Sequence, residues 1–319
     1  MAVYTQVSAE ALGVFLSGFD HGELVSAKGI AEGVENSNYL VDTTDGRFIL
    51  TLYEKRVNLD DLPFFFAMID HLAKHDLPVP RALPDRDGTV IHRLEGRPAC
   101  LIEFLTGVSV SHPTIPQAFA AGTAMGRMHE ALADFAPTRP NSMGIDTWRP
   151  LFERCGRDLD GIAPGLYDDV AFALDAVLDA WPTDLPVGTV HADLFPDNVL
   201  MRGDAVTGLI DFYFACTDIR AYDLAVMHTA WSFDATGSKA DWAVGRALID
   251  GYTRSIDLTL AERTALIHLA KGACIRFLLS RAWDWLNTPA DALVTRKDPL
   301  AYLRRFNAYA ARTPPLDIA

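Results

Sequence analysis

Positive charge is scarce in this sequence. Lys and Arg number 28 against 42 Asp and Glu, which gives a formal net charge of −14. So negative a surface repels phosphate backbones and disfavours nucleic-acid binding, although a local cation and a few backbone N–H groups can reverse the sign inside one cleft. Cysteine is scarce too. Cys100, Cys155, Cys216 and Cys274 form no C-x-x-C pair, match no zinc spacing and are too few for a dense disulfide framework, so reduced, buried thiols are expected. No His and Cys cluster with metal-ligand spacing appears, and Gly-x-Ser-x-Gly is absent, which leaves no support for a serine hydrolase of that kind. No apolar run is long enough to span a bilayer. The best candidate, Ala265 to Leu279, is interrupted by His268, Lys271 and Arg276. Residues 1–11 lack a basic segment followed by an apolar one, so no signal peptide is seen, and a cytoplasmic chain with no membrane partner is expected.

What is present is ordinary globular material: 319 residues, 50% hydrophobic and 22% charged, enough for one large domain or two modest ones. Ser8 to Phe19 reads as a short helix capped by Ser8. Leu24 to Ile30, Ser37 to Thr43 and Arg47 to Tyr53 read as three strands, with Asp45-Gly46 as the hairpin turn between the last two. Leu59 to Lys74 is helical, with Pro63 near its start. Thr89 to Leu94 and Arg97 to Leu105 form a second hairpin around Glu95-Gly96. After Thr106-Gly107 the character changes: Gln117 to Ala133, Phe172 to Ala180, Ala240 to Tyr252, Leu260 to Arg281 and Pro299 to Ala311 are helical, around one β-rich island from Gly188 to Tyr213. The expected fold is α+β and bilobal, with a small β-rich lobe over residues 1–105 and a large helical lobe over 106–319.

The island carries the chemistry. It reads His191-Ala192-Asp193-Leu194-Phe195-Pro196-Asp197-Asn198, then two apolar β runs, Val199 to Met201 and Val206 to Ile210, then Asp211. If the runs pair as a hairpin, its open end brings Asn198 and Asp211 side by side. An amide oxygen and a carboxylate there are hard ligands suited to Mg²⁺. Asp193 lies just before them on a loop that Pro196 keeps out of helix. H-x-D-L-x-x-x-N followed by a short hairpin and a second Asp is the pattern of a kinase catalytic loop. On that reading Asp193 accepts or orients the proton of an acceptor hydroxyl, His191 braces the catalytic loop, and Asn198 and Asp211 hold Mg²⁺ on ATP. Upstream, the Gly-containing stretch from Gly29 to Asn38 sits between the first two strands. Gly33, Asn36, Ser37 and Asn38 are candidates for the ATP phosphates. Glu103 and Leu105 fall where an inter-lobe hinge would meet adenine.

These segments resemble the aminoglycoside-phosphotransferase-like (choline kinase-like) group of protein-kinase-like folds over nearly the whole chain. Within that group, residues 29–39, 48–54 and 61–65 and the run Ile275-Arg276-Phe277-Leu278-Leu279-Ser280-Arg281 look most like type II homoserine kinases. The resemblance implies ATP and Mg²⁺ as cofactors, L-homoserine as substrate and O-phospho-L-homoserine as product, in threonine biosynthesis. It departs from the general kinase pattern on the third strand, where Thr51 stands in place of a Lys. Lys28, Lys55 and Arg47 are the nearby cations.

For a zwitterionic acceptor, Arg276 and Arg281 are candidates to bind the carboxylate, and Trp231 to wall the pocket. Asp223, twelve residues after Asp211, either anchors the catalytic loop or caps a helix from Leu224 to Trp231. His129 reads as structural. Two other readings stay open: a kinase for choline, ethanolamine, a sugar or an aminoglycoside, and a catalytically dead nucleotide-binding regulator. A monomer and a homodimer are equally compatible with the sequence.

Overall fold

The computed structural model describes residues 4–30, 36–54, 58–288 and 296–312. The chain opens with helix α1 (Ala9–Leu16), whose Ser8 hydroxyl accepts the N–H of Ala11 at 3.1 Å. Strands β1 (Leu24–Gly29), β2 (Ser37–Thr43) and β3 (Arg47–Leu52) follow as an antiparallel meander. Helix α2 (Leu62–Lys74) comes next, entered through a 3₁₀ turn at Leu59–Asp61. Then come β4 (Ala82–Leu83), β5 (His92–Leu94) and β6 (Arg97–Glu103). The six strands form one sheet in the order β1-β2-β3-β6-β4, with β5 paired to β6.

The remainder is mostly helical: α3 (Ile115–Ala131), α4 (Trp148–Cys155), α5 (Leu166–Asp179), then strands β7 (Val187–Val190), β8 (Val199–Arg202), β9 (Ala205–Leu209) and β10 (Cys216–Ile219), then α6 (Arg220–Trp231), α7 (Trp242–Tyr252), α8 (Leu260–Asn287) and α9 (Leu300–Ala310). Helices α3 and α8 start at capping boxes, Thr114 with Gln117 and Thr259 with Glu262. Among the described residues no helix is long and apolar enough to cross a membrane. All four cysteines are buried thiols.

Two apolar clusters carry most of the packing. One joins α1 to the sheet through Leu12, Leu16, Val41, Leu50, Leu52 and Leu101. The larger runs through the helical part and takes in Leu62, Phe65, Met68 and Leu72 of α2. Each such fully buried side chain contributes about 1.5–3 kcal/mol. Helix α2, placed by sequence with the first lobe, therefore shares its apolar face with the second. Helices α3 and α7 meet at glycine: a Cβ on Gly122 would collide with the Leu248 carbonyl, and one on Gly251 with that of Phe119. Such close approach is open only to a residue with no side chain.

Two backbone straps fasten the β8–β9 hairpin to the first part of the chain. Val108 and Met201 exchange backbone hydrogen bonds of 3.0 and 2.9 Å, and the Leu209 N–H donates to the Pro78 carbonyl at 2.8 Å. The chain leaving β6 is thus pinned to the hairpin rather than hanging as a loose link.

Candidate active site

Residues 191–194 are held from all sides. The Asp223 carboxylate accepts the backbone N–H groups of His191 and Ala192, each at 2.8 Å. Arg276 Nη1 donates to the Ala192 carbonyl at 2.6 Å, and the Trp231 indole N–H donates to the Leu194 carbonyl at 3.0 Å. Ala192 sits at φ 63°, a left-handed conformation that costs a non-glycine residue of order 1–3 kcal/mol. A carboxylate on its N–H and a guanidinium on its carbonyl hold it there. His191 is buried; its Nε2 lies 3.0 Å from the Ile210 carbonyl and its Nδ1 3.3 Å from the Asp193 N–H. These bonds fix the neutral tautomer that donates from Nε2 and accepts at Nδ1. Burial also holds its pKa below the ordinary value.

That scaffold presents Asp193. The backbone on both sides of it is hydrogen-bonded, whereas among the described residues its carboxylate has one long contact, 3.4 Å from the Asn198 amide nitrogen. Burial pushes its pKa up to about 8; Arg276 pulls it down, while Asp211 and Asp197 push it further up. A carboxylate so placed is a better proton acceptor than one in water.

The β8–β9 pairing sets Val199 opposite Leu209, and the Ile210 N–H donates to the Asn198 carbonyl at 3.0 Å. The hairpin mouth therefore places Asn198 and Asp211 as the sequence pattern requires. The Asn198 amide nitrogen donates to the Asp193 carbonyl at 2.8 Å, which leaves its Oδ1 as the acceptor end. Asp211 sits at φ 66°. Amide oxygen and carboxylate form a hard donor set that fits Mg²⁺.

On the strand side, Gly33 lies outside the described residues, as does Lys55. Asn36 is buried, with its Oδ1 3.4 Å from the Glu54 N–H. The phosphate contact expected of the Ser37 side chain needs correction. Its hydroxyl accepts the N–H groups of Tyr4 and Thr5 at 2.8 and 3.1 Å and donates to Glu54 Oε1 at 2.8 Å, which uses its one proton and both lone pairs. Asn38 faces Thr51 across β2 and β3, and the Thr51 hydroxyl donates to Asn38 Oδ1 at 2.8 Å. The amide hydrogens of Asn38 thereby point away from Thr51. Arg47 is tied to Asp42 at 2.7 Å and Lys28 is exposed. At the end of β6, the Glu103 carboxylate receives Arg81 at 2.5 Å and the Glu103 N–H donates to the Arg81 carbonyl. Leu105 lies just beyond β6, where its side chain packs beside Gly208.

On the helical side, two candidates behave differently from expectation. Trp231 is 2% exposed and its indole N–H is spent on the Leu194 carbonyl rather than turned to a pocket. Arg276, at 3% exposed, is committed to the Ala192 carbonyl and packs over the Phe277 ring. Arg281 is only partly buried. Its guanidinium stacks over Tyr302 and reaches the Asp298 carbonyl at 3.3 Å. Burial lowers its pKa, and Asp193 is among the groups that counter the fall, so the two share one electrostatic neighbourhood.

The phosphotransferase enzyme family model matches residues 26–256. The homoserine kinase of Zymomonas mobilis is 52% identical over 97% of both chains. That of Acidiphilium cryptum is 53% identical over 96% of this chain and 95% of its own. The chain belongs to the homoserine kinases of this phosphotransferase family. Its fold is that of the wider group: a spectinomycin phosphotransferase bound to ADP and spectinomycin superposes with a TM-score of 0.70 at 13% identity, covering 98% of each chain.

Some contacts around these segments of the homoserine kinase leave no mark in the sequence. Tyr53 and Tyr213 meet hydroxyl to hydroxyl at 3.0 Å, joining the end of β3 to the segment after Asp211. Arg139 pairs with Asp61 at 2.8 Å and donates to the Ala215 carbonyl at 3.0 Å. Partners so far apart in sequence leave no periodic signal. Asp223 is the fourth residue of α6 rather than its cap. Its spacing from Asp211 was visible, but the His129 contact at 3.0 Å was not.

Proposed function

We propose that this chain transfers the γ-phosphate of ATP to the side-chain hydroxyl of L-homoserine, giving O-phospho-L-homoserine, with Asp193 as the group that orients the hydroxyl and takes its proton. The supporting observation is the contrast at Asp193: a loop bonded on both flanks carries a carboxylate with little bonding of its own and a raised proton affinity. Asn198 Oδ1 and the Asp211 carboxylate would hold Mg²⁺. When bound, that ion offsets charge on the ATP phosphates. His191, Asp223, Arg276 and Trp231 position the loop. The Asn38 amide, oriented by Thr51, is available to phosphate oxygens. Residues 1–105 serve the nucleotide side and 106–319 the acceptor side. The acceptor carboxylate is assigned to Arg281, which stands near Asp193 and has few commitments of its own.

The test is a coupled ADP-release assay with Mg²⁺-ATP and, in turn, L-homoserine, choline and an aminoglycoside. Asp193→Asn serves as the blank. We expect turnover with homoserine alone, lowered about 10³-fold in the variant with ATP affinity kept. Turnover confined to choline or the aminoglycoside would discard the acceptor and keep the chemistry. ATP binding without turnover of any of the three would favour a regulator.

A further inference from the structure

Away from the catalytic loop, three side chains with metal-ligating atoms converge on the surface. His71 lies in the last turn of α2, His75 is the residue that ends that helix, and Asp134 closes the 3₁₀ turn Leu132–Asp134 that follows α3. One ligand atom from each falls within 4.8 Å of the other two. The His71 Nε2 lies 3.0 Å from Asp134 Oδ1 and 2.8 Å from the Ala131 carbonyl. The two imidazole rings are 4.8 Å apart at 40°.

We propose that His71, His75 and Asp134 form a divalent transition-metal site of the Zn²⁺ type, which ties α2 to the end of α3. Two imidazoles and a carboxylate are borderline donors that favour such an ion over Mg²⁺ or Ca²⁺. The i, i+4 spacing sets both rings on one helix face, as in helical zinc sites. A tetrahedral shell with bonds of ~2.0 Å puts neighbouring ligand atoms about 3.3 Å apart. His71 and Asp134 already stand at that spacing, and His75 needs only a side-chain rotation to join them.

A purely structural reading accounts for His71, whose proton satisfies a carbonyl at the end of α3. It does not account for His75. That side chain lies tilted against the His71 ring and makes no hydrogen bond among the described residues. His75 and Asp134 are both exposed. An ion binding Nε2 takes the place of the proton that this nitrogen directs at the Ala131 carbonyl and Asp134, and the neutral ring then carries its proton on Nδ1. The adjoining open cleft, about 530 Å³ and lined in part by Glu130 and Arg127, leaves room for water or the Glu130 carboxylate as fourth ligand. This site is separate from Asn198 and Asp211, whose oxygens suit a harder ion, and it does not depend on the acceptor assigned above.

The experiment is a Zn²⁺ titration of untagged, nucleotide-free, full-length protein by calorimetry in excess Mg²⁺, which occupies hard oxygen sites without displacing a metal from imidazole. Co²⁺ absorption gives an independent readout, and the buried cysteines do not compete. His75→Ala and Asp134→Asn change exposed side chains and leave the His71 bond to Ala131 in place. We expect one Zn²⁺ per wild-type chain, imidazole-type Co²⁺ bands and a higher Tm with Zn²⁺. Each variant should bind at least about tenfold more weakly and lose the Tm shift, with kinase activity in metal-buffered Mg²⁺ unchanged. Absence of saturable Zn²⁺ uptake, or uptake equal in wild type and both variants, overturns the proposal.

Discussion

Asp223 holds Ala192 in its left-handed conformation, accepting its N–H at 2.8 Å from within the first turns of α6. The same carboxylate takes the His191 N–H and the His129 ring, and its pKa stays below the ordinary value despite complete burial. Asp223→Asn removes the charge from this buried cluster and turns an amide toward a backbone N–H. We expect a loss of about 3 kcal/mol in urea unfolding, and a fall in kcat because Asp193 loses its platform. An unchanged midpoint together with unchanged kcat would show that the loop stands without this anchor.

Asp211→Ala should change how the enzyme responds to Mg²⁺. With one of two oxygen ligands gone, the Mg²⁺ concentration for half-maximal rate is expected to rise about tenfold or more. Titrating Mg²⁺ at fixed ATP reads this directly. An unaltered curve would remove Asp211 from the metal shell.

The two arginines of α8 should separate by kinetics. Arg281→Ala is expected to raise KM for homoserine about tenfold or more, the worth of a charge-assisted hydrogen bond, while KM for ATP stays put. Arg276→Ala should lower kcat and thermal stability together, since it frees the Ala192 carbonyl. Equal effects of the two on KM for homoserine would place both on the substrate.

Stability should fall on mild acidification, and His228 is one named cause. It is buried, with Nδ1 2.6 Å from the Tyr309 hydroxyl, and burial lowers its pKa to about 3. In the unfolded chain an imidazole titrates near ~6.5. Between those values the unfolded state binds a proton that the folded state refuses, so stability is complete above the unfolded pKa and drops as pH falls. The slope from this group is about 1.4 kcal/mol per pH unit. Urea unfolding at neutral and mildly acidic pH, in wild type and His228→Gln, measures it. The variant should show a shallower loss, and equal slopes would mean that His228 is not the titrating group.

How much of this was legible in advance depends on whether the signal was local. The H-x-D-L-x-x-x-N loop, the hairpin after it and the Asp211 beyond are contiguous, and their placement follows from hairpin register alone. The meander from Leu24 to Leu52 was equally readable, because Asp45-Gly46 fixes its turn. The pair β7–β10 was not, since four-residue strands nearly thirty residues apart carry no alternation worth reading. Helix α4 was missed for a similar reason: it is short and has a proline in its first turn. Ser37, Trp231 and Arg276 had the right chemistry for ligands, but composition cannot tell whether a polar group faces a ligand or its own backbone. The His71, His75 and Asp134 grouping was invisible because its third member comes from another helix end.

The hydroxyl of Ser37 has a practical consequence. Residues 4–7 are laid along β2: Tyr4 and Thr5 donate to Ser37, Tyr39 donates to the Thr5 carbonyl at 2.7 Å, and Val7 donates to the Tyr39 hydroxyl at 3.1 Å. An affinity tag fused ahead of Met1 would hang from the strand that carries Asn38, and any pull on it would reach the nucleotide side first. Apparent ATP affinities measured on such a fusion would report the tag along with the enzyme.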